Sequence, residues 1–171
     1  MWSFHPERLP ALQAVLMGLC LLLASSAFAQ TTTHKEAAVT QVANGPFDVR
    51  ITPQDGQSDD PLLSRMLLDK QYHGDLEATG KGQMLTAGTA VKGSGAYVAI
   101  EKVSGSLQGR KGSFILQHTG IMTQNKPVLA IDVVPDSGTG ELVGLSGKMK
   151  INIAPDGKHS YELEYTFPEK N

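Results

Sequence analysis

The segment YVAIEKVSGSLQGRKGSFILQHTG, residues 97–120, decides the fold. Two runs rich in Val, Ile, Leu, Phe and Tyr flank the turn-forming residues QGRK, and this pattern predicts a β-hairpin. Side chains alternate across a strand, so Tyr97 and Glu101 share one face of the first strand. Phe114 and His118 share one face of the second. We expect these two aromatic-bearing faces to lie together and to face a core.

The register of this hairpin decides how close Glu101 and His118 lie. A two-residue loop at Arg110-Lys111 would place Val103 opposite His118, with Glu101 on the diagonal. A four-residue loop from Gln108 to Lys111 would place Glu101 directly opposite His118. Opposed side chains have Cβ atoms roughly 5 Å apart and diagonal ones roughly 7–8 Å. Either register predicts that the two side chains interact.

Glu101 and His118 are the first candidate site, because polar groups on an apolar face carry a desolvation cost unless they pair. A buried carboxylate beside an imidazole could transfer protons, since burial and a neighbouring charge shift its pKa in opposite directions. The same two residues could equally form a structural ion pair that joins two strands. The sequence leaves both interpretations open.

The first 29 residues are typical of a secretory signal peptide. Arg8 precedes an apolar core at Ala14–Leu23, and Ala27-Phe28-Ala29 matches the cleavage pattern. Ten apolar residues are too few to span a bilayer, which takes about 20. We predict cleavage after Ala29, no membrane span in the mature chain, and a location in the periplasm or outside the cell.

Residues 30–45 are predicted to be a flexible lead-in and residues 46–168 a single domain. Cleavage would remove Cys20, the only cysteine, so the mature chain would have no disulfide and no thiol catalysis. The chain has 17 acidic and 15 basic residues and a net charge of −2, without a basic stripe, so we expect no nucleic-acid partner.

From Phe47 onward the apolar residues alternate with period two, which predicts strands almost throughout. Glycine- and proline-rich segments, including Gly80-Lys81-Gly82, are interpreted as turns. The predicted strands are Phe47–Thr52, Leu63–Thr79 with room for a bend at Gly74, Gln83–Val91, the two hairpin strands, Pro127–Val134, Glu141–Ala154 and Lys158–Phe167. A helix over Pro61–Lys70 is the alternative for the start of the second strand. Eight antiparallel strands with short connections predict an all-β, closed barrel, because closure removes exposed strand edges.

Four blocks of the sequence resemble the small bacterial family known as domain of unknown function 3224. They are YHGDLEATGKGQML, the hairpin segment, VVPDSGTGELVGLSGKM and DGKHSYELEYTF, and the resemblance runs from Phe47 to Phe167. It implies a closed antiparallel barrel resembling that of plant allene oxide cyclase, with no established activity. The recurrent polar positions of the family correspond here to Glu101, Arg110, His118 and the SGTGEL loop.

Two further polar groups are weaker candidates. His73, Asp75 and Glu77 alternate along one predicted strand face, but they lack converging ligands from other strands, so we expect no metal site. Ser137 and Thr139 lie in a glycine-rich loop that resembles an anion cradle. The loop has neither the Gly-Lys-Ser/Thr of a P-loop nor a following helix. We therefore interpret its glycines and hydroxyls as turn-forming residues, and we expect no cofactor.

Tyr97, Phe114, Tyr161 and Tyr165 are predicted to point inward, where aromatic side chains could line a cavity or fill the barrel. Three functions remain open. The barrel could bind a small, mainly apolar molecule in its lumen. It could be an isomerase or cyclase, an idea that rests on fold similarity alone. It could also be a structural protein that forms a homo-oligomer through the apolar strand Pro127–Val134.

Overall fold

The computed structural model describes residues 39–54 and 59–169. The predicted signal peptide lies outside the described residues, as does most of the predicted lead-in. Within the described part of the chain, no helix has the length and apolar character needed to cross a membrane.

The described residues form a closed antiparallel barrel of eight strands in sequential order, which confirms the predicted fold class. One turn of 3-10 helix, Gly140–Leu142, precedes the seventh strand. The strands are β1 Gln41–Pro53, β2 Leu63–Tyr72, β3 Leu76–Gly88, β4 Gly95–Leu107, β5 Arg110–Thr123, β6 Lys126–Val133, β7 Ser146–Ile153 and β8 His159–Thr166.

β1 closes the barrel because it pairs with a different neighbour along each half. Residues Gln41 to Phe47 pair with β8, and Phe47 to Pro53 pair with β2. The strand therefore begins at Gln41, inside the segment 30–45, rather than at Phe47. Its first half shows no clear apolar alternation in the sequence because two of its inward residues, Ala43 and Gly45, are small.

The prediction of one long strand over Leu63–Thr79 was wrong. The chain turns at Gly74, whose φ of +91° is readily adopted only by glycine, and β3 returns along β2 with Tyr72 opposite Ala78. Gly80-Lys81-Gly82, predicted to be a turn, lies inside β3. Gly80 is needed there for a different reason, since a Cβ at that position would overlap the carboxylate of Glu101.

Both predicted registers of the central hairpin were also wrong. The turn residues are Gln108 and Gly109, with φ of 46° and 86°, and Leu107 pairs with Arg110. The pairing is thus shifted from both predictions, and Glu101 lies opposite Leu116 while His118 lies opposite Ala99. His118 remains diagonal to Glu101, so the two side chains still meet.

The two ends of the barrel differ. At the closed end, which carries the β2–β3 turn, the β4–β5 turn and the 3-10 helix, buried apolar side chains form a continuous core, among them Leu76, Leu107, Leu142, Leu145 and Tyr165. Residues Glu141–Leu145, predicted to start a strand, instead cover this end. The opposite end, which carries the β3–β4 loop and the β5–β6 turn, is called the mouth below.

The barrel is least tightly joined between β6 and β7. Asp132 opposite Lys148 is the only ladder pair of these two strands within the described residues, whereas every other neighbouring pair of strands shares at least seven. Strand β6 is partly exposed on both faces, since Val128 is 69% exposed and Leu129 is 38% exposed.

Candidate functional site

The site begins with Glu101, which the alternation of β4 turns into the barrel and which is fully buried. Lys70 Nζ on β2 donates to Glu101 Oε2 at 2.8 Å. Tyr72 OH on the same strand donates to Oε1 at 2.9 Å. Lys70 Nζ also contacts Tyr72 OH at 3.1 Å. Both carboxylate oxygens thus have partners from β2, and these contacts join β2 to β4 through the lumen.

His118 brings β5 into this cluster. Its Nε2 atom lies 3.0 Å from Glu101 Oε2, and both side chains are almost completely buried. The geometry of this contact is not that of a hydrogen bond, and Nε2 has no hydrogen-bond partner among the described residues. The contact is therefore a short electrostatic one.

Aromatic rings surround the charged group of Lys70. Its Nζ atom lies 5.2 Å from the ring centroid of Phe47 and 5.4 Å from that of Tyr72. Cations are attracted to the faces of such rings, and the attraction strengthens when water is excluded. We call the group of Lys70, Tyr72, Glu101 and His118 the buried polar cluster.

The environment shifts the pKa values of the cluster. Burial raises the pKa of Glu101, but the contact with His118 and the charge and hydrogen bond of Lys70 outweigh it, so the pKa lies below its ordinary value. Burial lowers the pKa of Lys70, and Glu101 opposes that shift. Burial, followed by the charge of Glu101, strongly raises the pKa of Tyr72.

These shifts describe an ionised carboxylate that accepts hydrogen bonds from Lys70 and Tyr72 and is in close contact with His118. A general base is most effective when its pKa lies near the working pH. Glu101 has a lowered pKa and both its oxygens are engaged. The contacts of the cluster thus keep its charged groups in fixed positions. This geometry favours a role in cross-linking β2, β4 and β5 over a role in proton transfer.

Sequence reasoning identified Glu101 and His118 but missed Lys70 and Tyr72 as their partners. Lys70 lies between Leu68 and Tyr72 in the inward-facing alternation of β2. A lysine at such a position must be buried with a partner, and this was the available signal.

The predicted inward aromatic residues divide between the two ends. Phe114 packs into the core at the closed end. Tyr161 OH accepts from Leu76 N at 2.8 Å and donates to His73 O at 3.0 Å. Tyr165 OH lies 2.6 Å from Gln108 Oε1. These three side chains hold the closed end together, and the hydroxyls of the two tyrosines bond to the protein itself.

Tyr97 lies at the other end, toward the mouth. It is half-buried, it is opposite Gly120, and it is therefore diagonal to His118. Burial, followed by the charge of Glu101, raises its pKa, so its hydroxyl stays protonated at neutral pH. Tyr97 is the candidate residue that separates the buried polar cluster from the mouth.

Ser137 and Thr139 fasten their loop to β5. Ser137 Oγ accepts from Ile115 N at 3.0 Å and donates to Val134 O at 2.6 Å. Thr139 Oγ1 accepts from Ser113 N at 2.9 Å. Both hydroxyls thus accept hydrogen bonds from backbone N–H groups of β5, which a neighbouring strand would otherwise accept.

His73 and Asp75 lie in the β2–β3 turn rather than along a strand face. His73 lies 3.6 Å from a carboxylate oxygen of Asp48 and 3.8 Å from one of Glu77. No group of three or more His, Cys, Asp or Glu side chains among the described residues is arranged to hold a metal ion.

Comparison with known proteins agrees with this fold. A family model described as protein of unknown function (DUF3224) matches residues 43–165. A crystal structure of a DUF3224 protein with unknown function from Shewanella oneidensis MR-1 is similar, with 49% sequence identity and a TM-score of 0.73. The match covers 77% of this chain and 100% of that one. No curated protein matches the chain.

Proposed function

The chain belongs to the DUF3224 family, whose function is unknown, and we propose from its own geometry that the barrel binds a small, mainly apolar molecule at its mouth. The observation that carries this proposal is a cavity of about 540 Å³ at that end of the barrel. Pockets for small molecules commonly enclose roughly 300–1,000 Å³, so one compact molecule would fit.

The lining of the mouth cavity suits an apolar ligand. None of its lining residues carries a charge, and its larger side chains on the inner face of the strands include Tyr97, Met122, Leu129 and Ile153. Moving apolar surface from water onto such a lining contributes about 25 cal/mol per Å². The weakly joined β6–β7 edge borders the cavity through Leu129 and Ile153.

Tyr97 adds one polar feature to this lining. It is the only tyrosine among the described residues that line the cavity, and its ring lies against Gly120. A ligand with an apolar body and a single hydrogen-bonding group would match both the apolar lining and the Tyr97 hydroxyl. We do not extend the proposal to an isomerase, since Glu101 lines none of the described cavities.

Fluorescence titration with Nile red, a neutral apolar dye, tests the proposal. We expect saturable binding that Leu129→Arg weakens at least tenfold, because a charge in the apolar lining must be desolvated. Val143→Arg is the matched control, since Val143 is 65% exposed and lies outside the cavity. Equal binding by both variants would place the dye elsewhere and contradict the proposal.

A second candidate function is self-association. Ile121 and Val128 are directly opposite on the outer face of β5 and β6 and are 58% and 69% exposed. Exposed apolar pairs on a sheet face are typical of protein interfaces when they belong to a larger patch. Light scattering at rising concentration tests this candidate, and a Val128→Lys variant should then be monomeric. A monomer at millimolar concentration would exclude it.

A further inference from the structure

A second, larger concavity lies on the outside of the barrel and shares no lining residue with the mouth cavity. It encloses about 710 Å³ over β2, β3 and β4 and reaches Gln117 on β5. Its centre is apolar, with four outward-pointing side chains that are each about half exposed: Leu67, Leu85, Val98 and Ile100. We call this concavity the outer groove.

Positive charge concentrates at the outer groove. Arg65, Lys81 and Lys102 line it, and no carboxylate does. This concentration is local, since the whole chain has a net charge of −2. Within residues 39–54 and 59–169, neither Arg65 nor Lys102 forms an ion pair, and Lys81 has a single loose one with Asp69 at 3.8 Å.

Without a bound ligand, the positions of Lys81 and Lys102 are unfavourable for the stability of the folded protein. Lys81 lies directly opposite Lys102 in the β3–β4 ladder. Like charges at opposed positions destabilise a sheet, since their Cβ atoms are only roughly 5 Å apart. A bound anion between the two ammonium groups would convert this repulsion into attraction.

We propose that the outer groove binds a single amphiphilic anion, a molecule with an apolar chain and one carboxylate or phosphate head. The chain would cover Leu85, Val98 and Ile100, and the head would lie between Lys81 and Lys102. This site is separate from the mouth cavity and does not depend on the function proposed there.

Two features favour a free amphiphile over other occupants. The groove is concave and has the volume of a small-molecule pocket, whereas a bilayer surface is nearly flat. A second copy of the chain would bring its own Lys81 and Lys102 toward the same region, and no carboxylate in the groove would compensate them.

The test uses dodecanoate as the probe, below its micellar concentration, with isothermal titration calorimetry at low salt. We expect one saturable site and binding about tenfold weaker to a Lys81→Gln/Lys102→Gln variant, as the loss of two exposed charge contacts implies. Dodecanol, which has the chain but no charge, should bind equally to the wild type and to that variant.

Three controls locate the site. Lys148→Gln/Lys158→Gln removes two positive charges outside the groove and should leave dodecanoate binding unchanged. Leu129→Arg should also leave it unchanged, which separates this site from the mouth. Amide chemical shifts should move at Val98, Ile100 and Gln117 when dodecanoate is added.

The proposal is overturned by several distinct results. These are no dodecanoate binding, full binding by the Lys81→Gln/Lys102→Gln variant, or loss of binding in Leu129→Arg. Binding to vesicles of anionic phospholipid without binding of monomeric dodecanoate would assign the groove to a membrane surface instead. A dimer that protects Val98 and Ile100 from solvent would assign it to a second copy.

Discussion

Lys70 Nζ lies 2.8 Å from Glu101 Oε2 inside the barrel, and neither side chain has more than 3% of its surface exposed. Two buried charges of opposite sign gain little net stability by pairing, because each has lost its hydration. Breaking the pair is nevertheless costly, since the remaining charge is left buried without a partner. The pair therefore fixes the relative positions of β2 and β4.

Glu101→Gln should destabilise the protein by about 3–5 kcal/mol, because it leaves the Lys70 ammonium buried without a counter-charge. Urea unfolding at neutral pH measures the loss in the free energy of unfolding. The double variant Glu101→Gln/Lys70→Met should recover most of it, since both charges are then absent. A loss below about 1 kcal/mol in the single variant, the level of an exposed pair, would show that the pair is not buried as described.

The acid side of the stability profile should depend on Glu101. Its pKa is lower in the folded protein than the ordinary value of 4.5, so the unfolded chain binds the proton more readily. The contribution of Glu101 is therefore complete above pH 4.5 and is lost as the pH falls through the lower, folded pKa. In Glu101→Gln this part of the acid-induced loss should disappear. Parallel acid profiles for the two proteins would contradict the assignment.

Gly80→Ala should destabilise the barrel by about 1–3 kcal/mol, because the new methyl group would overlap the Glu101 carboxylate and force it to move. Gly88→Ala is the matched control in the same strand, since the nearest atom to its Cβ would be Leu62 O at 3.8 Å. Thermal unfolding of the two variants gives the comparison. Equal melting temperatures of the two variants would mean that the Glu101 carboxylate does not need the space that the missing side chain of Gly80 leaves.

Export should remove the first 29 residues. Expression of the full chain in a bacterial host with a Sec pathway should yield a mature protein that begins at Gln30, because Ala27-Phe28-Ala29 supplies the small residues that signal peptidase requires. Intact-mass measurement of the periplasmic fraction identifies the first residue. Recovery of protein that still starts at Met1 from the cytoplasm alone would refute the export hypothesis.

The strand content and the facing of side chains could be predicted from the sequence, because period-two alternation is a local signal. It placed Glu101 and His118 on the inner face correctly. The register of their hairpin could not be predicted, since QGRK offers several turn positions of similar quality. Only the observed positive φ angles at Gln108 and Gly109 identify the turn.

The wrong predictions of the strand and the turn in β2 and β3 have the same physical cause. Gly74 and Gly80 look alike in the sequence, yet one makes a turn and the other leaves space for a side chain on a different strand. Lys70 was missed for the same reason, because its partner Glu101 is 31 residues away. The alternation shows that Lys70 points inward, but it does not identify the distant residue that Lys70 contacts.

The most direct test of the mouth-cavity proposal is native mass spectrometry of the protein purified from its own host. We predict a non-covalent adduct with the mass of one small molecule on the wild-type protein and bare polypeptide for Leu129→Arg. A bare wild-type protein, or equal retention of the adduct by the variant, would contradict the proposal that the mouth of this barrel binds a ligand.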